Sequence, residues 1–307
     1  MPTPAECFFL PASSTLAGVV DQRFCVFYAA QGPCLRGMVL YIHPFAEEMN
    51  KSRRMVALQA RALAQAGYAV LQIDLLGCGD SSGDFGDATW HSWVSDVLRG
   101  SRWLHEHHRA LGPQGCSAPL WLWGLRAGCL LAVEAASQMS GPCHFLFWQP
   151  PAAGRPLLQQ FLRLKAAADL QSNQAKNVMA GLRQQLNDGS SVEVAGYRLA
   201  PELASGLEKS MLLPAPARKP GRVEWFELST RADAALSPAS GDAITQWQQC
   251  GFEVHSQLIS GPAFWQSAEI EEVPALIAAT CAAVSSGSAL GAGSIFQRVA
   301  GAEVFAA

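Results

Sequence analysis

The segment richest in chemistry is Trp121-Leu122-Trp123-Gly124-Leu125-Arg126-Ala127-Gly128. A continuous apolar run meets a Gly-x-x-x-Gly spacing and passes directly into the apolar, helix-like stretch Ala127–Met139. Buried strand, two glycines and helix, in that order, form the sharp turn that lifts one side chain above a sheet as a nucleophile. The amide of the next residue, here Ala127, then helps to stabilise the oxyanion formed in the attack. The lifted residue in such a turn is Ser, or sometimes Cys or Asp; this chain has Arg126. A guanidinium stays protonated and offers no lone pair, so ordinary hydroxyl chemistry is not expected at this position. The turn also sets its central residue at the positive end of a helix dipole, where a cation costs roughly 0.3–1 kcal/mol unless an anion offsets it. Glu47 and Glu48 on an early loop and Asp233 on a late one are the candidate partners. Two readings follow: Arg126 bridges to one of these carboxylates and stabilises the core, or it grips an anionic group such as a carboxylate, phosphate or uronic acid together with loop amides.

Other reactive residue types have weaker settings. Gly77-Cys78-Gly79-Asp80-Ser81-Ser82-Gly83 is superficially a dinucleotide loop, but Asp84-Phe85-Gly86-Asp87 follows where a helix should begin, so a structural turn is the better reading. Cys78 or Asp80 could serve an atypical nucleophilic mechanism, as could a water activated by Glu47 or Glu48. No His is placed by sequence to lower the Cys78 pKa. Cys129 reads as an inert helix residue. His105, His107 and His108 end a helical pattern, where they favour the C-terminal end of the dipole; neighbours at i and i+2 share no face, and a metal site is not expected. The Trp residues at 90, 93, 121, 123 and 148 fall on core positions. No cofactor and no metal are expected.

These residues must be positioned by an alternation of strands and helices. Strands are read at Cys7–Leu10, Arg23–Tyr28, Gly37–Ile42, Tyr68–Ile73, Leu120–Trp123, His144–Trp148, Val223–Ser229 and Phe252–Ile259. Helices are read at Ser52–Ala66, Thr89–His108, Ala127–Met139, Ala239–Cys250 and Ile270–Ala283. Continuous apolar runs such as Gly37–Ile42 belong to strands covered on both faces. The pattern predicts an α/β fold: a mostly parallel central sheet flanked by helices. The rhythm breaks between 155 and 218, where Gln, Leu, Arg and Ala dominate. That segment is read as a helical cap insertion with a short hairpin near Val192–Leu199. The expected division is a core at 1–154 and 219–284, the cap at 155–218 and a flexible tail at 285–307.

Composition narrows the function classes. Of 307 residues, half are apolar and 15% are charged, enough apolar material for a sizeable core. A net charge of -3 with scattered basic residues gives no electrostatic case for nucleic acid. The nine cysteines show no Cys-x-x-Cys pair, which suits reduced cytosolic thiols better than a disulfide framework. The N-terminus has no signal-peptide pattern. The most apolar stretch, 118–136, carries Arg126 and Glu134 and is read as strand plus helix, not a membrane span.

Three segments together resemble the α/β-hydrolase superfamily: His43-Pro44-Phe45-Ala46-Glu47-Glu48-Met49-Asn50-Lys51-Ser52-Arg53-Arg54, then Asp74-Leu75-Leu76-Gly77-Cys78-Gly79-Asp80-Ser81-Ser82-Gly83, then the Gly-Leu-Arg-x-Gly turn. With the late Gly261-Pro262-Ala263-Phe264-Trp265-Gln266, they resemble more narrowly the second of two hydrolase families associated with the exosortase A system. The resemblance covers roughly Cys7 to Val284. It implies a bacterial cytoplasmic role near exopolysaccharide synthesis, with the related first hydrolase of that gene neighbourhood as a plausible partner. The superfamily order of nucleophile, acid and His maps onto Arg126, Asp233 and Phe264, so one of three triad members remains. His43 then opens an oxyanion-type turn with Phe45 and Ala127 as amide donors. Trp265, beside the emptied His position, is a pocket-lining candidate. Lys51, Arg53 and Arg54 are read as the solvated first turn of a helix. The implied function is a degenerate hydrolase that binds or scaffolds, with a small anionic, acyl or saccharide ligand. The alternative is an ester or thioester hydrolase or acyltransferase with an atypical nucleophile.

Overall fold

A computed structural model of the chain describes residues 4–12, 21–32, 34–111, 118–168, 175–214 and 220–286. In chain order these form β1 (Glu6–Pro11), β2 (Gln22–Tyr28), β3 (Gly37–Ile42), α1 (Glu47–Gln65), β4 (Tyr68–Ile73), α2 (Trp90–Leu111), β5 (Leu120–Leu125), α3 (Ala127–Ser137) and β6 (Cys143–Trp148). There follow α4 (Gly154–Ala168), α5 (Ala175–Asn187), the hairpin β7 (Val192–Val194) and β8 (Tyr197–Leu199), α6 (Pro201–Lys209), β9 (Arg222–Ser229), α7 (Pro238–Gln249), β10 (Glu253–Ser260) and α8 (Pro274–Ser285). The main sheet has eight strands in the order β1-β2-β4-β3-β5-β6-β9-β10. β2 runs antiparallel to both its neighbours, and every pairing from β4 to β10 is parallel.

The strands from β3 to β6 are apolar at nearly every position because helices cover both faces. Alternate residues of β5 feed different layers. Leu120 and Leu122 join Trp93, Val97, Leu130 and Leu131 of α2 and α3. Trp121, Trp123 and Leu125 join Met55, Val56 and Leu63 of α1 and Leu276 of α8. Trp90, Trp93, Trp121, Trp123 and Trp148 are all buried, as their spacing predicts. Their bulk fills the core, and edge-on contacts such as Trp123 with Trp148 at 4.8 Å add to area burial.

Two helix starts differ from the sequence reading. α1 begins at Glu47, five residues before the expected Ser52, because Met49 as well as Met55 and Val56 lies on its buried face. Acidic residues in its first turn also favour a start there. Lys51, Arg53 and Arg54 therefore lie beyond the first turn. α8 begins at Pro274, not Ile270, as suits a proline in the first helical turn. The described residues between β6 and β9 form α4, α5, the β7–β8 hairpin and α6. α4 packs on α5 and α6, and α6 on α2. The expected tail lies outside the described residues from 287 onward. No described helix is long and apolar enough to cross a membrane.

Candidate functional site

The turn between β5 and α3 has the strained geometry expected of it. Arg126 has φ 54° and ψ -117°, a region costly for any side chain, with strain of order 1–3 kcal/mol. Both glycines are sterically required. A Cβ on Gly128 would lie 2.1 Å from the Ile42 carbonyl oxygen, and one on Gly124 would lie 2.5 Å from the Cys129 nitrogen. The Arg126 amide donates to the Trp148 carbonyl at 3.0 Å, tying the turn to β6.

Among the three carboxylates considered, Glu48 is the partner. Arg126 Nε and Nη2 both donate to Glu48 Oε1, at 3.3 and 3.1 Å, and Nη2 also donates to Gln160 Oε1 of α4 at 2.7 Å. The guanidinium lies 5.8 Å from the Trp265 ring centroid, within cation–π range. Side-chain exposures of 13% and 18% make this a largely desolvated ion pair, in which removing one partner strands the other charge. Burial pushes the Glu48 pKa up, and the Arg126 charge and hydrogen bonds oppose that rise. Nη1 has no hydrogen-bond partner among the described residues, so one edge of the guanidinium is held and the other is free.

A second strand-to-helix turn faces the first. It runs from β3 through His43-Pro44-Phe45-Ala46 into α1, and Ala46 has φ 51° and ψ -127°. His43 is buried; its Nε2 accepts from the Leu75 amide at 3.2 Å, and its Nδ1 donates to the Pro44 carbonyl at 2.7 Å. Those two bonds specify the neutral tautomer, and burial pushes the imidazole pKa down. His43 thus braces the loop. Neither the Phe45 nor the Ala127 amide has a hydrogen-bond partner among the described residues.

Phe45, Glu47, Glu48, Arg126 and Trp265, all named from the sequence, line one cavity of about 230 Å³. Lys51, Gln160 and Gln266 complete its polar side, and Leu157, Phe161 and Leu164 its apolar side. Lys51 Nζ donates to the Gln266 carbonyl at 3.3 Å, so this lysine is a wall residue where a solvated one was expected. Glu47 accepts from Tyr197 Oη of the hairpin at 2.9 Å. The helical stripe 157, 160, 161 and 164 was legible as one face of α4, but nothing in the sequence said what that face met.

Other expected site residues lie elsewhere. Asp233 pairs with Arg231 at 3.0 Å on a loop where its side chain is 76% exposed, and it does not line the cavity. Cys78 is buried, with a thiol pKa pushed up by burial and then by Asp74 and Asp96, and it too is outside the lining. Asp80 is exposed, and its amide donates to Asp74 Oδ2 at 3.3 Å. Phe264 is a core residue, its ring edge-on to those of Trp148 and Trp265. Ala127 is buried at the head of α3 and is not a lining residue. No histidine lines the cavity.

Known structures share this architecture. Est1E from Butyrivibrio proteoclasticus, solved with ferulic acid bound, matches with a TM-score of 0.56 and 15% identity, over 87% of this chain and 94% of that one. A soluble variant of monoglyceride lipase from Saccharomyces cerevisiae, in complex with a substrate analog, matches with a TM-score of 0.55 and 16% identity, over 92% and 96% of the two chains. A thermostable monoacylglycerol lipase from a Bacillus species is 34% identical over 91 residues, 30% of this chain. That match spans 34% of the lipase's length, about a third. No family model matches. The chain has the α/β-hydrolase fold, and its resemblance is to esterases and lipases.

Proposed function

We propose that this is a non-catalytic binding or scaffolding protein on an α/β-hydrolase frame, working beside exosortase A and exopolysaccharide assembly in the bacterial cytoplasm. The exosortase association rests on the sequence segments around His43, Asp74, Arg126 and Gly261. The described residues between β6 and β9, α4 foremost, act as a cap over the cavity, and the companion hydrolase of the gene neighbourhood is the proposed protein partner. The observation that carries the non-catalytic reading is the state of Arg126. It occupies the nucleophile position, is locked to Glu48, and has no imidazole beside it in the cavity wall. Residual stabilisation by a hole without a triad is worth roughly 10³–10⁴-fold over water in known proteases, too little for a dedicated hydrolase.

One observation favours a second reading. Glu48 lines the cavity with its pKa pushed up by burial, a poise suited to a general base that takes a proton from water. The two readings separate on purified full-length protein with a panel of short- and medium-chain esters, thioesters and lactones. The expected result is no turnover above buffer for wild type and the same for Arg126→Ser, because a hydroxyl there still lacks a base. Turnover abolished by Glu48→Gln would establish the enzyme instead.

A further inference from the structure

We infer that the cavity selects an uncharged amphiphile: a hydroxyl-bearing head on a single short alkyl chain, in preference to the corresponding anion. This rests on the binding role proposed above and names the ligand class. The first ground is charge. Arg126 and Lys51 face Glu47 and Glu48, so the wall carries two formal cations and two anions and is neutral as it stands. An anion entering would add a third formal negative charge to a wall whose two cations already meet two carboxylates, one of them tied to Arg126. An uncharged oxygen adds no such charge. It can accept from the free Nη1 edge while Nε and Nη2 stay on Glu48, and its hydroxyl can donate to the Glu47 or Glu48 carboxylate. The head of α3 does not reverse this, because Ala127 is buried and outside the lining.

The second ground is shape and composition. Leu157, Phe161 and Leu164 form one apolar stripe on α4, in the same cavity lining as the charged residues. Leu164 is 47% exposed despite its size, which places apolar surface in solvent at the cavity. A volume of about 230 Å³ lies below the ~300–1,000 Å³ of common ligand pockets, so one chain or one ring fits and a polymer does not.

The test is calorimetric titration of the full chain at pH 7.5 with octan-1-ol, octanoate and octylamine, each in monomeric solution. The alcohol is expected to bind at least ten-fold more tightly than either charged probe. Leu164→Asp, at an exposed position that should leave the thermal midpoint unchanged, is expected to weaken it by ten-fold or more. Glu48→Gln is expected to shift preference toward octanoate, and Arg126→Ala toward octylamine. Octanoate binding wild type as tightly as the alcohol, or no octyl compound binding at all, would overturn the proposal. Ester turnover is scored separately. Turnover with the neutral preference intact would remove the non-catalytic reading and leave the ligand class standing. Lost preference without turnover would do the reverse.

Discussion

The turns at Ala46 and Arg126 have nearly the same backbone, φ 51° and ψ -127° against φ 54° and ψ -117°, and each joins a central parallel strand to a helix. Their side chains differ completely: one is a buried methyl group, the other a guanidinium tied to the opposite helix. Their surroundings differ as well. Two residues beyond Arg126 stands Gly128, pressed against the Ile42 carbonyl; two residues beyond Ala46 stands Glu48, whose carboxylate faces the cavity. The strained conformation is therefore a property of how strand passes to helix in this fold, and it persists whether or not the residue has chemistry to perform. What each turn does is decided by the side chain it presents and by the space beside it.

Substitutions at the two turns test this contrast. The largest effect is expected from Gly128→Ala, whose methyl group would meet backbone that cannot rotate away; a loss of about 3 kcal/mol in urea titration follows from overpacking at such a site. A near-neutral result would mean that α3 is not seated against the end of β3. Arg126→Gly relieves the backbone but leaves Glu48 unpaired, and the net is a loss of about 1–2 kcal/mol at pH 7. That deficit has a pH signature. Without the cation, the Glu48 pKa rises further above its usual 4.5. An acid whose folded pKa is raised contributes most to stability below its unfolded pKa and loses that contribution as pH rises. The gap between variant and wild type should therefore be small below pH 4.5 and widen above it; a constant gap would sever the effect from Glu48. The smallest change is expected from Ala46→Gly. The strain there is relieved with no pair to lose, and a gain of about 1 kcal/mol should appear as a higher urea midpoint. If glycine moves stability the same way at both positions, the distinction between the two turns fails.

Much of this architecture was readable in the residues. Apolar runs such as Gly37–Ile42 and Tyr68–Ile73 match their strands end to end, because nearly every position of a strand covered on both faces is apolar. The early start of α1 was not readable. Glu47, Glu48 and Asn50 look like loop residues, and Ser52 and Gln59, polar but buried, interrupt the apolar stripe. The helix dipole and the contact of Met49 outweigh that local signal. At the site, Arg126, Phe45, Glu47, Glu48 and Trp265 could be nominated singly. Their assembly with Gln160 and Leu164 depends on where α4 folds back. Asp233 shows the limit of positional mapping: it stands at the expected place in chain order, yet its carboxylate meets Arg231 in solvent.

The residues alone determined the sheet, the strand-to-helix turn at Arg126 and the absence of a hydroxyl at its centre, since all three follow from short-range sterics, hydrophobic period and the identity of one side chain. Only tertiary structure decided that Arg126 meets Glu48 across 78 residues of sequence, that Phe264 turns into the core while Trp265 turns to the guanidinium, and that the cavity wall is charge-balanced. Those outcomes depend on the packing of α1 and α4 around the turn, and ion-pair energies change steeply over distances of a few ångströms that chain order does not set.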